Sequence, residues 1–381
     1  MNLLFLNYEY PPLGGGAGNA TKFLARACLE LGHRAVVLTS GLDEQPAHAI
    51  EDGVDIYRLR TRRERPDRSN MREMFVYYFM ARREAAEIVR RHSCQAVIAF
   101  FTLPSGPVAR RLHRTAGLPY LISLRGGDVP GLVPELKWIH RLLAPWRRGV
   151  LRSAAAIIAN DEELARLERL ADHVPVEVIH NGVDCVFFRP AAPPADPPQG
   201  QPLRWLFCGR VHHQKNLLQL LQEFAWLRQQ HPAAGELDLV GDGPMRPELE
   251  RAADRLGIAQ VVRWHGWQSK AQLLLHYQAA GCFLNPSLYE GMPNTVLEAM
   301  ACGLPVIASN VGGNSTLVRP EENGLLFDLG RPGALGAAMA RMLAEPSLRR
   351  QWGRQGRARA EREFSWSRSA EKYLELLAGY T

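Results

Sequence analysis

Short apolar runs alternate with amphipathic helical patterns along the chain, and this alternation constrains the fold more than any other feature. Strands bounded by Gly, Pro or Asn and separated by helices predict βαβ units and parallel sheets. We expect strands at 2–7, 34–39, 54–59, 95–100, 119–124, 155–159 and 175–179 in the first half, and at 203–208, 236–240, 261–264, 281–285, 304–308 and 325–327 in the second. The predicted fold class is α/β, with two Rossmann-like, doubly wound domains.

A proline-rich segment separates the two halves. The sequence RPAAPPADPPQGQP occupies residues 189–202, and its prolines disfavour both helix and sheet interiors. We therefore predict a first domain at 1–188, a linker at 189–202 and a second domain at 203–363. Two such halves facing one another create a central cleft, and ligands of these sheets bind at the carboxyl ends of the strands.

Net charge indicates which partners the protein could bind, and cysteine content indicates the compartment in which it works. The net charge of +7 favours anionic partners such as phosphates, nucleic acid or a lipid surface. Six cysteines lie far apart without a C-x-x-C pair, which favours free thiols in a reducing compartment. The N-terminus lacks a basic region and a long apolar run, so we expect a buried first strand and a cytoplasmic protein.

Three glycine-containing turns follow predicted strands. GGGAGN (14–19) precedes a helix expected to begin near Thr21, and a helix N-terminus with free N–H groups attracts anions. LFCGRVHHQKN (206–216) places Arg210 and Lys215 just after a strand, where two cations suit a diphosphate. LVGDGPM (239–245) is a similar turn. A tight turn or a solvated pair of cations is the alternative in each case.

The segment YEGMPNTVLEAM (289–300) carries two glutamates, Glu290 and Glu298. Pro293 suits the first turn of a helix, so N–H groups of residues 291–295 are predicted donors at its positive end. If the segment were wholly helical, eight residues would span about 12 Å, against about 5.5 Å between the carboxylates of a retaining glycosidase. The two acids therefore favour hydrogen bonds to separate hydroxyl groups of one ligand; a loop acid and a surface acid are the alternative.

These motifs together resemble glycosyltransferase family 4. The resemblance rests on EGMPNTVLEAMACGLPVIAS, the pair Arg210 and Lys215, NGVD (181–184), the loop 14–18 and VGG (311–313), and it covers the chain in order. It implies the GT-B fold, a retaining transfer from a nucleotide sugar and no metal cofactor. It also implies a C-terminal helix, at 364–381, that crosses back onto the first, acceptor-binding domain.

The resemblance assigns roles to individual residues. Glu298 would bind the ribose hydroxyls and Glu290 a hydroxyl of the donor sugar. Arg210 and Lys215 would hold the diphosphate. The other implied donor-binding residues are Gly15, Gly16, Gly209, Gly243, Gly291, Met292, Pro293, Asn294 and Thr295.

Two positions depart from the family pattern. LRGGDV places Arg125 where the family usually has a histidine, with Asp128 retained. An arginine stays charged and cannot act as a base, so Arg125 would contact phosphate or acceptor. The family mechanism needs no protein base, because the leaving phosphate takes the acceptor proton. The second departure is His180, where the family usually has proline.

Basic residues cluster in the predicted acceptor half. Residues 58–91 contain eleven arginines against five acidic residues, and residues 135–152 interleave Trp138, Leu142 and Trp146 with cations. Basic and aromatic surfaces suit an anionic membrane leaflet. We therefore expect a lipid-linked or glycan acceptor at the cytoplasmic membrane face, and solvated arginines over a core helix are the alternative.

The sequence thus predicts a retaining transferase that moves a hexose or N-acetylhexosamine from a nucleotide sugar, favouring a UDP-sugar, in the synthesis of a polysaccharide, lipopolysaccharide or glycolipid. Three other classes compete. A nucleic-acid binder has only the charge in its favour. An NAD-dependent oxidoreductase would give the segment with Glu290 and Glu298 no role. A catalytically idle sugar-nucleotide-binding module would share every motif.

Overall fold

The computed structural model describes residues 1–63, 65, 69–132, 137–191 and 202–380. The chain divides into two compact units, Met1–Gly182 with the segment from Trp366 onward, and Val183–Ser365. The division falls before the predicted linker 189–202, of which 192–201 lies outside the described residues. Residues 183–188 belong to the second unit because Val183 and Phe188 pack into its core.

A single sheet forms the centre of the first unit. Its strands are β1 (Asn2–Leu6), β2 (Arg34–Gly41), β3 (His48–Glu51), β4 (Val54–Arg60), β5 (Ala96–Phe100), β6 (Tyr120–Ser123), β7 (Ala156–Ala159) and β8 (Glu177–Val178). Their order across the described sheet is β3-β4-β2-β1-β5-β6-β7-β8. The strands pair in parallel except at the edge, where β3 is antiparallel to β4. The buried runs of β1 and β5 are typical of parallel sheets covered on both faces.

Helices cover this sheet, and their ends follow local sequence signals. They are α1 (Gly16–Glu30), α2 (Met71–His92), α3 (Ser105–Ala116), α4 (Lys137–Leu151) and α5 (Glu162–Asp172). Asn70 and Glu73 form a reciprocal capping box at the start of α2, each side chain accepting a hydrogen bond of 2.9 Å from the other's backbone N–H. Helix α1 begins at Gly16 rather than near Thr21, because the turn is completed at Gly14, which has a φ of 80°.

The second unit repeats the architecture. Its strands are β9 (Arg204–Cys208), β10 (Glu236–Val240), β11 (Val262–Gly266), β12 (Cys282–Asn285), β13 (Val306–Ser309) and β14 (Gly324–Phe327). They lie in the order β11-β10-β9-β12-β13-β14, and every pairing between these described strands is parallel. The helices are α6 (Leu217–Gln230), α7 (Arg246–Arg255), α8 (Lys270–Ala279), α9 (Asn294–Ala301), α10 (Gly312–Leu317), α11 (Ala334–Ala344) and α12 (Pro346–Glu363). The chain reverses sides of the sheet between β9 and β12, the position where open α/β sheets bind ligands.

The last helix, α13 (Trp366–Ala378), belongs to the first unit. Trp366 stacks on Phe23 of α1 with 5.7 Å between ring centroids, and the Tyr373 hydroxyl lies 2.7 Å from Ser123 Oγ. The helix begins at 366 rather than 364, because the carbonyl of Phe364 accepts a hydrogen bond of 2.7 Å from the N–H of Val183 in the second unit. Across the described residues we find no helix with both the length and the apolar character needed to cross a membrane.

Candidate active site

The loop between β12 and α9 places Glu290 at the carboxyl end of the second sheet. Pro293 directly precedes α9 with an extended backbone (φ −77°, ψ 100°), and the helix begins at Asn294. Met292 and Pro293 are buried, whereas Gly291, Asn294 and Thr295 are half-buried. The first N–H groups of a helix have no acceptor within the helix and carry its positive dipole end. The predicted donor-binding segment therefore lies at a helix tip.

Glu290 is held by three side chains rather than exposed in a loop. Its Oε1 atom accepts hydrogen bonds from Ser287 Oγ at 2.7 Å, from Asn285 Nδ2 at 3.4 Å and from Lys215 Nζ. The Glu290 side chain is 7% exposed and that of Lys215 is 14% exposed. In such partial burial an ion pair is screened less than at the surface. The two predicted residues thus form one preformed charged pair.

Arg210, the second predicted cation, behaves differently. It follows β9 by two positions and is exposed, and no ion pair is found for its side chain within the described part of the chain. Sequence analysis predicted that Arg210 and Lys215 act together on a diphosphate. In the structure Lys215 is engaged by Glu290, whereas the guanidinium of Arg210 faces solvent.

A buried polar network supports Glu290, and the sequence did not predict it. Asn285 Nδ2 donates to Asn314 Oδ1 at 2.8 Å, and Asn285 Oδ1 lies 3.0 Å from the oxygen of the Ser287 hydroxyl, whose single proton is donated to Glu290. Asn314 Nδ2 in turn donates to the Ser309 carbonyl at 3.1 Å. All four side chains are at most 1% exposed. Buried polar groups that are hydrogen-bonded to one another rigidify a site, so this network fixes the position of the Glu290 carboxylate.

Two glycines allow α10 to contact the Glu290 loop through backbone alone. A Cβ at Gly312 would lie 1.9 Å from the carbonyl oxygen of Glu290, and one at Gly313 would lie 1.8 Å from that of Gly291. Such distances exclude any side chain at these positions without movement of the backbone. The VGG motif (311–313) is therefore explained by close packing on the loop that carries Glu290.

Gly209 and Gly243 join the turns that follow β9 and β10. The N–H of Gly209 donates to the Val240 carbonyl at 2.9 Å, and the N–H of Val211 donates to the Asp242 carbonyl at 2.9 Å. A Cβ at Gly243 would lie 2.3 Å from the carbonyl oxygen of Val211. Gly243 therefore has a packing role within the second unit, and the backbone of Gly209 joins the two turns.

Glu298 lies one turn into α9, and its Oε2 atom accepts a hydrogen bond of 2.9 Å from the Tyr277 hydroxyl. Burial raises the pKa of Glu298 to about 7, and the Tyr277 hydrogen bond opposes this rise. A carboxyl group with this pKa is present in both protonation states near neutral pH. When ionised it can accept hydrogen bonds from neighbouring hydroxyl groups with both oxygens, whereas in the protonated form one oxygen is a donor.

The glycines around the start of α1 differ in how closely their surroundings pack against them. Gly15 precedes α1 and Gly16 begins it; both are exposed, and a Cβ at Gly15 would have no neighbour within 4 Å. Gly18, in contrast, would place a Cβ 2.9 Å from the Leu13 carbonyl. Gly15 therefore has no packing role of this kind within its own unit.

Asp128 organises the turn that follows β6. Its Oδ1 atom accepts hydrogen bonds of 3.0 Å from the N–H groups of Arg125 and Gly126, and its Oδ2 atom accepts one of 2.9 Å from the N–H of Thr102. Both carboxylate oxygens are thus occupied by backbone donors. Asp128 holds the turn in shape, which is a positioning role.

Arg125 is anchored within the first unit. Its Nη1 atom donates to Asn181 Oδ1 at 2.6 Å, its Nη2 lies 3.4 Å from the Tyr373 hydroxyl, and its guanidinium carbon lies 4.4 Å from the centroid of the Phe100 ring. Burial lowers the pKa of Arg125, which nevertheless remains a cation. Arg125 thereby links the turn after β6 to the NGVD motif (181–184) and to α13.

His180 also has a defined environment. Its Nδ1 atom lies 3.0 Å from the Asn160 carbonyl, and its own carbonyl accepts a hydrogen bond of 2.8 Å from Ser369 Oγ on α13. The contact that depends on histidine at this position is therefore the one to Asn160, whereas the backbone carbonyl of residue 180 holds α13.

No metal-binding cluster accompanies these residues. Within residues 1–63, 65, 69–132, 137–191 and 202–380, no group of three or more His, Cys, Asp or Glu side chains is arranged to hold a metal ion. The charged side chains whose contacts place them at or near the tip of α9 include Lys215, Glu290 and Glu298.

The two α/β units, each built on a mostly parallel sheet, have the architecture of the GT-B class of glycosyltransferases. The family model described as glycosyl transferases group 1 matches residues 189–359, and the model described as a glycosyl transferase 4-like domain matches residues 15–182. The chain belongs to glycosyltransferase family 4, a family of transferase enzymes.

Individual relatives agree with this family. The chain is 34% identical over 253 residues to a D-inositol 3-phosphate glycosyltransferase of Streptomyces bingchenggensis, covering 61% of this chain and 55% of that protein. The chain thus spans about half the length of this relative. Sucrose-phosphate synthase from Thermosynechococcus elongatus superposes with a TM-score of 0.81 at 25% identity, covering 100% of this chain and 98% of that one. Anabaena HepE in complex with UDP-glucose superposes with a TM-score of 0.74 at 19% identity over 100% of both chains, which shows the shared fold.

Proposed function

We propose that the protein is a retaining glycosyltransferase that moves a hexose or N-acetylhexosamine from a UDP-sugar to a lipid-linked or glycan acceptor in the synthesis of a cell-surface polysaccharide or glycolipid. The observation that carries the proposal is the preformed group at the tip of α9, where Lys215, Ser287 and Asn285 hold the Glu290 carboxylate. A UDP-sugar is favoured because HepE, a protein of the same fold, is described in complex with UDP-glucose.

The donor would contact the second unit in three places. The ionised Glu298 carboxylate accepts the ribose hydroxyls, the helix tip at 291–295 and the cations Lys215 and Arg210 face the diphosphate, and Glu290 accepts a hydroxyl of the sugar. Because Glu290 and Lys215 are already paired, the sugar and diphosphate positions are fixed next to each other before the donor arrives. Preorganised charge of this kind stabilises a leaving group without reorganisation during reaction.

Transfer with retention places acceptor and leaving group on the same face of the sugar. The acceptor oxygen forms the new bond to the anomeric carbon as the bond to the diphosphate oxygen breaks. The diphosphate oxygen, which gains negative charge, takes the acceptor proton. The Arg125 guanidinium cannot take this proton, so its role is to position the turn after β6 and to attract an anionic acceptor group. Lys215 and Arg210 offset the charge of the leaving group, and we propose that the reaction uses no metal cofactor.

We place the enzyme in the cytoplasm, at the inner face of the membrane. Helices α2 and α4 expose apolar side chains beside cations, among them Phe79, which is 62% exposed, and Trp138, which is 67% exposed. Each near-surface cation adds about 1 kcal/mol of attraction to an anionic leaflet. The relative from Streptomyces is named for a phosphate-bearing acceptor, which agrees with a basic acceptor surface.

A turnover assay with a panel of nucleotide sugars tests the proposal. Purified protein is incubated with UDP-, GDP- and ADP-sugars, with and without phosphate-bearing acceptors, and release of nucleoside diphosphate is measured. We expect release from a UDP-sugar that rises when an acceptor is present. Binding of a nucleotide sugar without release under every condition would make the protein an idle binding module, and binding of NAD alone would refute the proposal.

A further inference from the structure

A largely apolar cavity of about 410 Å³ lies within the first unit, between α2 and α4. Its walls include Met74, Phe75 and Tyr78 from α2, and Ile139, Leu143 and Trp146 from α4. The two helices meet through an edge-on contact of Tyr78 with Trp146, with 5.6 Å between ring centroids. A cavity of this size and lining matches sites that take up an apolar ligand body. It uses none of the residues at the tip of α9.

A few polar groups line one part of this cavity. They are the turn at Gly127 and Asp128, the imidazole of His140 and the guanidinium of Arg147. Arg147 is 3% exposed and pairs through Nη2 with Asp172 Oδ2 at 2.7 Å. Among the described residues, its Nε and Nη1 atoms have no hydrogen-bond partner. Buried donors without partners cost free energy, so a ligand with acceptor oxygens would stabilise this region.

Exposed apolar side chains continue from the cavity onto the protein surface. Met71, Phe75 and Phe79 follow one another at intervals of four along α2 and are 45%, 49% and 62% exposed. Trp138 and Leu142 have the same spacing on α4 and are 67% and 71% exposed. Two of the five, Met71 and Phe75, also line the cavity. The apolar surface is therefore continuous with the cavity.

The charges on α2 and α4 indicate which polar group the ligand carries in addition to its apolar part. Helix α4 contains four cations and no acidic residue, and its Lys137, Arg141 and Arg148 side chains are exposed. On α2 the exposed Arg72 directly follows Met71. Positive charge around an apolar opening complements a ligand that joins an apolar chain to an anionic group.

We propose that this cavity binds the apolar chain of an amphiphilic acceptor that carries an anionic group. The inference rests on the proposed function and assigns the class of acceptor. A polyol phosphate alone, such as the acceptor in the name of the Streptomyces relative, would leave the apolar lining in contact with water. An acceptor with an alkyl chain removes that lining from water and places its anionic group beside the cations of α2 and α4. The cavity thereby selects a lipid-type acceptor over a free sugar phosphate.

Isothermal titration of the full chain with inorganic, butyl, octyl and dodecyl phosphate, below their micelle concentrations and without nucleotide, tests this assignment. Each methylene that enters the cavity is expected to tighten binding about fourfold, the factor that corresponds to ~0.8 kcal/mol. Octyl phosphate should therefore bind at least about tenfold more tightly than butyl phosphate even with partial burial. Equal affinity across the series would overturn the proposal.

A cavity-filling variant gives the second measurement. Ile139→Trp places an indole in the cavity and should weaken dodecyl phosphate binding by at least about tenfold. The matched control is Leu170→Trp, because Leu170 is 61% exposed on α5 and does not line the cavity. Unchanged binding by Ile139→Trp would overturn the proposal. If Ile139→Trp does not fold, the chain-length series on the unaltered protein decides alone.

UDP-sugar binding and turnover by the same proteins separate this inference from the proposed function. If all the phosphates bind equally well whatever their chain length, while sugar transfer is normal, only the proposal of an amphiphilic acceptor is refuted. If the protein neither binds nor turns over a nucleotide sugar, the proposed transferase function is refuted, whatever the affinities for the alkyl phosphates. Vesicles of phosphatidylcholine containing dodecyl phosphate distinguish a membrane-borne source from a free amphiphile: sedimentation with these vesicles and not with pure phosphatidylcholine supports the lipid source.

Discussion

The tip of α9 and the cavity between α2 and α4 differ in whether their polar groups are hydrogen-bonded within the protein. At the tip of α9, Glu290 accepts hydrogen bonds from three side chains, and the supporting amides and hydroxyls are paired with one another. In the cavity, the Nε and Nη1 donor atoms of Arg147 have no hydrogen-bond partner among the described residues, and the surrounding walls are largely apolar.

This difference separates a site that is complete without ligand from one that a ligand completes. A buried hydrogen-bonded network defines one geometry, which suits the chemistry of a single kind of donor. An apolar cavity with a few polar groups adapts to ligands of different length. Changes at the tip of α9 should therefore affect turnover strongly, whereas changes around the cavity should affect acceptor binding with little loss of fold.

Glu290→Gln tests the buried hydrogen-bonded network and should have the largest effect. The amide keeps the shape of the side chain but removes the charge that pairs with Lys215 and faces the sugar. We expect kcat for nucleoside diphosphate release to fall about 10²- to 10³-fold, as on loss of a preorganised electrostatic contact. The matched control is Glu321→Gln, which alters an exposed ion pair with Arg341 in the same unit. Equal activity of Glu290→Gln and the unaltered enzyme would contradict the site.

Gly313→Ala tests whether the Glu290 loop is held by backbone contact. The added methyl group would lie 1.8 Å from the Gly291 carbonyl, so the backbone must move. We expect the free energy of unfolding to fall by about 1–3 kcal/mol, the usual range for overpacking. Urea denaturation of this variant is compared with that of Gly330→Ala, because a Cβ at exposed Gly330 would have no neighbour within 4 Å. A Gly313→Ala protein as stable as this control would show that the loop is free to move.

Glu298 gives a pH dependence with opposite signs for stability and binding. Its pKa in the folded protein, about 7, is raised above the ordinary value of 4.5. Its contribution to stability is therefore fully present below pH 4.5 and is lost as the pH rises through 7. UDP binding uses the ionised form, so affinity should rise up to about tenfold between pH 6 and pH 8. Titration calorimetry at both values should show this rise in the unaltered protein and its disappearance in Glu298→Gln; a rise retained by the variant would assign it to another group.

The double change Trp138→Ser with Leu142→Ser tests the exposed surface beside the cavity and should have the smallest effect on the fold. Both side chains are more than 60% exposed, so the unfolding free energy should change by less than about 0.5 kcal/mol. Co-sedimentation with vesicles that contain phosphatidylglycerol should decrease severalfold at low salt. A variant that still sediments like the unaltered protein would remove these two residues from the membrane surface.

Much of the fold could be predicted from the sequence, because buried parallel strands leave continuous apolar runs. Each of the thirteen expected strands overlaps an observed one. The strand that was missed, β3 (His48–Glu51), is at an antiparallel edge and alternates exposed with half-buried residues, so it has no apolar run. The start of α1 was placed too late because a glycine-rich stretch has low helix propensity, which the packing of the helix overrides.

The candidate site was predictable only where its residues are close in sequence. Glu290, Glu298 and the helix tip share one segment, whereas the support of Glu290 depends on strand order. Asn285 and Ser309 end neighbouring strands of the sheet, so polar residues at the ends of the apolar runs CFLN and VIAS were the available signal. The contact of Arg125 with Tyr373 joins residues 248 positions apart, and local patterns carry no information about such a pair.

The return of α13 has a consequence for biosynthesis. Its Ala370, Tyr373, Leu374 and Leu377 side chains belong to the core of the first unit, although that unit is otherwise encoded before residue 183. Domains usually fold in the order in which they leave the ribosome. Here the N-terminal sheet has to wait, with part of its core uncovered, until the final helix has been translated. The second unit is encoded in one uninterrupted stretch, so a chain released from the ribosome but truncated just before Trp366 should keep a stable C-terminal unit and lose stability in the N-terminal one.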